Sequence, residues 1–222
     1  MTMRATILCI GLLLGSAAAA AGQTNTAPTN LPPKTATNAF NLARPPTLTP
    51  DKTTDALLTH GFDELGRGNG SSAISYFTRV LTLDSTNKRG RFGMGTALIQ
   101  LERYREALTI LEPMLKEFPT DYTLKNNVAW VYAAAKDPSI RDGHRAIALA
   151  QEALLNLPTD CHVWSSLAEG YYITGRYEKA LRAADEALRL CQQTGGSEEL
   201  RREYQRLVER NRKAVQAMSL IE

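Results

Sequence analysis

The chain has 222 residues and a formal net charge of +3, from 26 basic and 23 acidic side chains. That balance excludes a protein built around a basic nucleic-acid surface, and 43% hydrophobic residues indicate a mostly folded chain. Three cysteines and three histidines without paired-ligand spacing exclude a disulfide-dense scaffold and a four-cysteine zinc site, so neither a metal nor a cofactor is expected.

Residues 1–21 have the pattern of a bacterial signal peptide. Arg4 precedes an apolar stretch over 7–14, and the small residues at 19–21 fit a cleavage site. The apolar stretch is shorter than the roughly 20 residues that span a membrane, and Cys9 lies within it rather than after it, which argues against lipidation. The pattern predicts an exported protein, periplasmic or secreted, with an uncleaved membrane anchor as the alternative.

Residues 22–50 are rich in Thr, Asn and Pro and contain no acidic residue. Their six prolines remove backbone donors and fix φ, so neither a helix nor a sheet is expected to persist. The composition predicts a disordered linker. A short binding motif around Phe40 is the alternative.

The rest of the chain repeats a pattern of two amphipathic helices. In residues 161–194 one apolar face has the spacing i, i+3, i+4, i+7, Gly175 interrupts it, and a second face follows. The two faces consist of Trp164, Leu167, Ala168 and Tyr171, then Tyr177, Ala180, Ala184, Ala187 and Leu188. Equivalent residues recur at a period of 34 in the windows 54–87 and 88–121, and again in 122–160, where the turn is five residues longer. In the first three windows they are Leu57, His60, Gly61, Ala73, Phe77 and Val80; Met94, Gly95, Leu98, Tyr104, Ala107, Leu111, Met114 and Pro119; and Val128, Ala129, Tyr132, Ala146, Ala150, Ala153 and Pro158.

This pattern resembles the tetratricopeptide repeat, whose motif is W-x2-L-G-x2-Y, then A-x3-F, then a proline. The resemblance implies an all-α, right-handed superhelical solenoid of helix–turn–helix hairpins, with four repeats over residues 51–194. It predicts paired helices near 50–66 and 70–83, 86–101 and 104–117, 121–135 and 142–156, and 160–174 and 177–193.

Two segments stand apart from the regular repeat. The long turn at 136–145 contains Asp142, a predicted N-cap, and is interpreted as a rigid turn or as a contact loop that displays Arg141 and His144. Within residues 195–222, a helix over 197–219 with Ser197 as its N-cap is predicted to cap the array, or to serve as a partner helix.

A protein-binding groove is the main functional expectation. In the tetratricopeptide family a second stripe on the first helix of each hairpin lines a concave surface that binds peptides. Carried over position by position, the stripe includes four aromatic rings, which are expected to be exposed and to favour an apolar or amphipathic ligand. The alternative is that these rings pack between neighbouring repeats as core. The stripe consists of Leu58, Phe62, Leu65, Arg89, Phe92, Thr96, Ile99, Asn126, Trp130, Ala133, His162, Ser165, Glu169 and Tyr172.

Cys161 and Cys191 lie at ends of antiparallel helices that should meet. In an oxidising compartment they are predicted to form a disulfide, or else to remain two buried thiols.

No catalytic motif is present in the sequence: a phosphate-binding loop, GxSxG and GxGxxG are all missing. The expected function is therefore a non-enzymatic, exported scaffold that binds a protein or peptide segment during assembly of a cell-envelope complex. Nucleic acid and small-molecule substrates are not expected as ligands. The alternative is a structural subunit that oligomerises through its convex face or its C-terminal helix.

Overall fold

The computed structural model describes residues 50–221, which form nine α-helices and no strand. The predicted signal peptide and residues 22–49 of the predicted linker lie outside the described residues. None of the described helices is both long and apolar enough to cross a membrane.

Eight helices form four antiparallel hairpins, and a ninth packs against the last hairpin. Each predicted helix boundary agrees with the observed one within two residues, so the predicted all-α hairpin architecture is confirmed. The helices are α1 (Pro50–Gly66), α2 (Gly70–Leu83), α3 (Lys88–Gln100), α4 (Tyr104–Glu117), α5 (Tyr122–Ala134), α6 (Gly143–Leu154), α7 (Cys161–Ile173), α8 (Tyr177–Gln193) and α9 (Glu198–Ser219).

Polar side chains fix the first turns of several helices. The predicted caps are confirmed: Asp142 accepts a hydrogen bond from the backbone N–H of Arg145 at 3.0 Å, and Ser197 accepts one from that of Leu200 at 3.2 Å. Asp121 caps α5 in the same way. These bonds satisfy backbone donors that a helix start leaves free, so local sequence sets where the helices begin.

The two helices of a hairpin approach each other closely at one small-residue position. This position is occupied by Gly61, Gly95, Ala129 and Ala168 in the four repeats. A Cβ atom added at Gly95 would lie 2.4 Å from Cδ2 of Leu111, which is fully buried on the opposing helix. The side chain of the second helix therefore fills the space that a larger residue on the first helix would need.

The buried side chains form two clusters. The smaller one consists of residues of the first repeat, among them Phe77, Val80 and Leu65, together with Ala97 of α3. The larger one runs from Phe92 in α3 to Val208 in α9, through every intervening helix. The second, third and fourth repeats thus share a continuous core, and α9 covers its C-terminal end.

The substitution Gly95→Ala should lower the free energy of unfolding by about 1–2 kcal/mol, because the added methyl group overlaps Leu111 and this cost exceeds the gain in helix propensity. Urea unfolding measures the change. Gly66→Ala, at the exposed end of α1, is the matched control and should leave stability the same or slightly higher. Equal effects at the two positions would contradict the close-packing argument.

Candidate protein-interaction surfaces

The predicted groove residues lie on α1, α3, α5 and α7, but most of them are buried. Phe92 is 9% exposed and Trp130 is 5% exposed, so the expectation of an open groove lined by four exposed rings is wrong for these two. The buried members of the predicted set are Leu58, Leu65, Phe92, Thr96, Ile99, Asn126, Trp130, Ala133, Ser165 and Glu169.

Packing between neighbouring first helices accounts for part of this burial. Phe92, Ile99, Trp130 and Ala133 all belong to the larger core cluster. The Asn127 amide donates a hydrogen bond to the Thr96 hydroxyl at 3.0 Å, which ties α5 to α3. Whether the buried residues contribute to ligand binding stays a prediction.

The four remaining members, Phe62, Arg89, His162 and Tyr172, are at least partly accessible. At the N-terminal end, the guanidinium carbon of Arg89 lies 5.7 Å from the centre of the Phe62 ring. Phe62 in turn packs edge-on against Phe77, with the ring centres 5.1 Å apart. The result is an arginine on an aromatic ring that is anchored in the core.

A second arginine–aromatic pair lies at the C-terminal end. The guanidinium carbon of Arg210, from α9, is 4.0 Å from the centre of the Tyr172 ring. Its Nη2 atom also lies 2.9 Å from Oε1 of the buried Glu169. Arg210 was missed by the sequence analysis, which predicted only that this helix caps the array or serves as a partner helix. The signal available in the sequence was Glu169 on α7, a carboxylate among apolar residues that needs a cation such as Arg210 to balance its charge.

A polar cluster connects α7 to α9. The Tyr204 hydroxyl and Nδ1 of His162 are 2.9 Å apart and share a hydrogen bond, and Tyr204 is fully buried. Tyr204 also hydrogen-bonds the Cys161 side chain. Burial lowers the pKa of His162, so its imidazole is neutral at physiological pH.

Asp160, Cys161 and His162 are three possible metal ligands whose ligand atoms lie within 4.8 Å of one another. Each of them already has a protein partner. The Asp160 carboxylate accepts the backbone N–H of His162 as the N-cap of α7, and the Tyr204 hydroxyl bonds the other two side chains. The cluster therefore works as the joint between α7 and α9.

Both cysteines of the last hairpin are free thiols in the structure, and both are buried. Their side chains interact with each other, and burial raises the pKa of Cys161 to about 11. Their pairing as a disulfide stays a prediction.

The long turn at 136–145 is held by several hydrogen bonds. Arg105 from α4 bonds Asp137 at 2.7 Å and Ser139 at 2.8 Å, and the backbone N–H of Asp142 donates to the Tyr132 carbonyl at 3.0 Å. These contacts support the rigid-turn interpretation. Arg141 and His144 are exposed beside a cleft of about 790 Å³, and their role as a contact loop is untested.

Two models of the tetratricopeptide repeat match the chain, over residues 64–138 and 161–194. Superkiller protein 3 of Schizosaccharomyces pombe is 25% identical over 117 residues, which are 52% of this chain and 8% of that protein. The chain thus spans less than a tenth of the length of this curated relative.

Solved structures share the fold. The thermophilic TPR protein TTC0263 of Thermus thermophilus superposes with a TM-score of 0.54 at 16% identity, over 73% of this chain and 98% of its own. MamA of Desulfovibrio magneticus RS-1, from residue 41 to its end, gives a TM-score of 0.50 at 16% identity, over 74% of this chain and 96% of its own. At this identity the likeness concerns the fold alone.

Oxidised glutathione should convert Cys161 and Cys191 to a disulfide in a Cys9→Ser background, with the two thiol protons lost and the reagent reduced to two glutathione thiols. The reaction should be slow near neutral pH and about tenfold faster per pH unit, because the attacking thiolate is rare at a pKa of about 11. Titration of free thiols against time measures the rate. Cys161→Ser is the control, and mixed disulfides without ring closure would contradict the pairing.

Glu203 should make stability depend on pH. It is 8% exposed, and burial, opposed by Arg206 and assisted by Glu169, raises its pKa to about 7. The unfolded carboxyl ionises above about pH 4.3, so between there and pH 7 the folded chain binds more protons and loses stability as pH rises.

Glu203→Gln should therefore raise the free energy of unfolding by about 2 kcal/mol near pH 8 and leave it unchanged near pH 4. Urea unfolding at both pH values tests this expectation. Glu209→Gln, an exposed carboxylate on the same helix, is the control and should show no such difference. A Glu203→Gln effect that is equal at both pH values would contradict the assignment.

Proposed function

Because the chain belongs to the tetratricopeptide repeat family, whose members bind protein partners, we propose that it is an exported scaffold for a protein or peptide segment. The segment binds along the concave surface formed by α1, α3, α5 and α7, in the assembly of a cell-envelope complex. The observation that carries this proposal is the pair of accessible arginine–aromatic contacts at the two ends of that surface, Arg89 on Phe62 and Arg210 on Tyr172.

These pairs suit an interaction site energetically. Aromatic and arginine side chains dominate the binding energy of protein interfaces, and rings held by a rigid core lose little conformational entropy when a partner binds. Phe92 and Trp130 are buried between the two pairs. They form the apolar base of the surface and do not themselves insert into the ligand. The ligand is accordingly a segment long enough to reach both ends of the surface.

Export and the non-enzymatic role are parts of the same proposal. The signal-like pattern of residues 1–21 supports export to the periplasm or beyond the cell. The thiol and imidazole groups that chemistry would need, at Cys161 and His162, are bonded to Tyr204. This arrangement supports a scaffold.

The alternative, a structural subunit that oligomerises through its C-terminal helix, is favoured by one observation. Apolar side chains are exposed at the end of α9: Met218 is 41% exposed, Leu220 87% and Ile221 80%. A mass that rises with concentration would support this alternative.

The double substitution Phe62→Ala with Tyr172→Ala should weaken capture of the envelope partner by tenfold or more, because it removes both accessible anchors. The measurement is capture from envelope extract with identification by mass spectrometry, followed by the Kd of the purified pair. Tyr76→Ala with Tyr122→Ala, two half-buried rings outside the predicted stripe, is the matched control. Unchanged affinity in the first variant, or equal loss in both, would contradict the concave-surface proposal.

Substitution of the buried rings would be a poor test of binding. Phe92→Ala and Trp130→Ala should each lower the free energy of unfolding by about 3 kcal/mol, since they leave cavities in the core. Lost capture in such a variant would report on folding.

A further inference from the structure

The outer face of α9 is a basic surface separate from the concave surface. The inner side of α9 packs on the array through Tyr204, Leu207, Val208 and Asn211, all buried. The opposite side is exposed, and we name it the outer face of α9. It consists of Arg202, Arg206, Glu209, Arg212 and Lys213.

The spacing of these residues places them along one line of the helix. Arg202, Arg206, Glu209 and Lys213 follow the spacing i, i+4, i+7, i+11, so they are neighbours on the helix surface. The line covers three turns, or about 17 Å. A second helix could run alongside it and meet every position.

Carboxylates are too few on this face to pair with the cations. Glu209 serves both Arg212, at 3.3 Å, and Lys213, at 3.5 Å. Glu198 is shared in the same way between Arg201 and Arg202, at 3.0 Å each. Glu203, the carboxylate nearest in sequence to Arg206, interacts with it electrostatically but is buried on the inner side of the helix.

The existing pairs would yield readily to a competing carboxylate. The side chains of Arg202, Arg212 and Lys213 are 65%, 51% and 72% exposed. Exposed ion pairs of this kind contribute little to stability. An acidic partner that replaces these ion pairs therefore loses little binding free energy in breaking them.

Apolar side chains border the basic line. Leu188 of α8, which is half-buried, lines a shallow cleft together with the basic residues, and the buried Val208 of α9 lies at its base. A partner with acidic residues on one stripe and apolar residues on the next would satisfy both features. A helix supplies such neighbouring stripes at the required spacing.

We propose that the outer face of α9 docks an acidic amphipathic helix of a partner protein. Its carboxylates pair with Arg202, Arg206 and Lys213, and its apolar stripe covers Leu188. The side chains of this contact are separate from those of the concave surface, so the scaffold holds two segments at once.

The test uses the full chain and a fluorescent synthetic peptide of about 20 residues, long enough to form a helix. Glutamates at i, i+4, i+7 and i+11 flank a leucine stripe, and a scrambled peptide has the same composition. Fluorescence anisotropy should show at least tenfold tighter binding of the patterned peptide at low salt. Binding should weaken toward 0.15 M salt, where exposed charges are screened within about 8 Å.

Arg206→Glu with Lys213→Glu should weaken peptide binding at least tenfold. Arg79→Glu with Arg182→Glu makes the same charge change at exposed arginines on α2 and α8, and should change binding less than twofold. Circular dichroism and the unfolding midpoint confirm that both variants fold. Phe62→Ala, a change in α1 that leaves the Arg210–Tyr172 contact of α9 intact, should bind the peptide as well as the unaltered chain, which separates this proposal from the concave-surface proposal.

Three outcomes would overturn the proposal. Equal binding of the patterned and scrambled peptides, or equal loss in the two charge variants, would show general electrostatic attraction only. No binding at high peptide concentration would reject the helix. A salt-sensitive dimer seen by light scattering and abolished by Arg206→Glu with Lys213→Glu would assign the face to a second copy of the chain.

Discussion

The close approach of two helices at one small-residue position is the constraint on which the rest of the fold depends. Gly61 and Gly95 leave room for large side chains of the opposing helix, Phe77 and Leu111, to reach across the hairpin. Ala129 occupies the equivalent position in the third repeat. Because the two helices of each hairpin pack closely, neighbouring helices can pack on both sides, and one core cluster extends from the second repeat to α9.

That tight packing also determines which surfaces remain for binding. The first helices of neighbouring repeats lie side by side, and residues such as Trp130 are enclosed in the core cluster. The accessible aromatic rings of the predicted stripe lie at its two ends, where Arg89 contacts Phe62 and Arg210 contacts Tyr172. A line of basic side chains lies instead on the outer face of α9. The residues that hold the array together thus differ from those through which we propose that it binds partners.

The sequence predicted features that depend on local order, and these are the helices, the caps at Asp142 and Ser197, and the small-residue position. A period of 34 and a capping side chain act within a few residues, so their effect can be inferred without coordinates. The exposure of Phe92 and Trp130 could not be inferred in this way, because it depends on how closely successive repeats stack. The roles of Tyr204 and Arg210 were also missed, since α9 lies outside the repeat register that aligned the other helices.

The joint between α7 and α9 has a thermodynamic consequence. Tyr204 bonds His162, and Arg210 contacts both Glu169 and Tyr172. The terminal helix therefore covers the end of the core and also borders the concave surface. The ends of repeat arrays fray first, and fraying of α9 would remove Arg210 from that border. A ligand held there must therefore slow amide hydrogen exchange throughout α9. By the same linkage, a change that loosens α9 weakens the ligand in proportion to the fraction of molecules in which α9 is no longer docked.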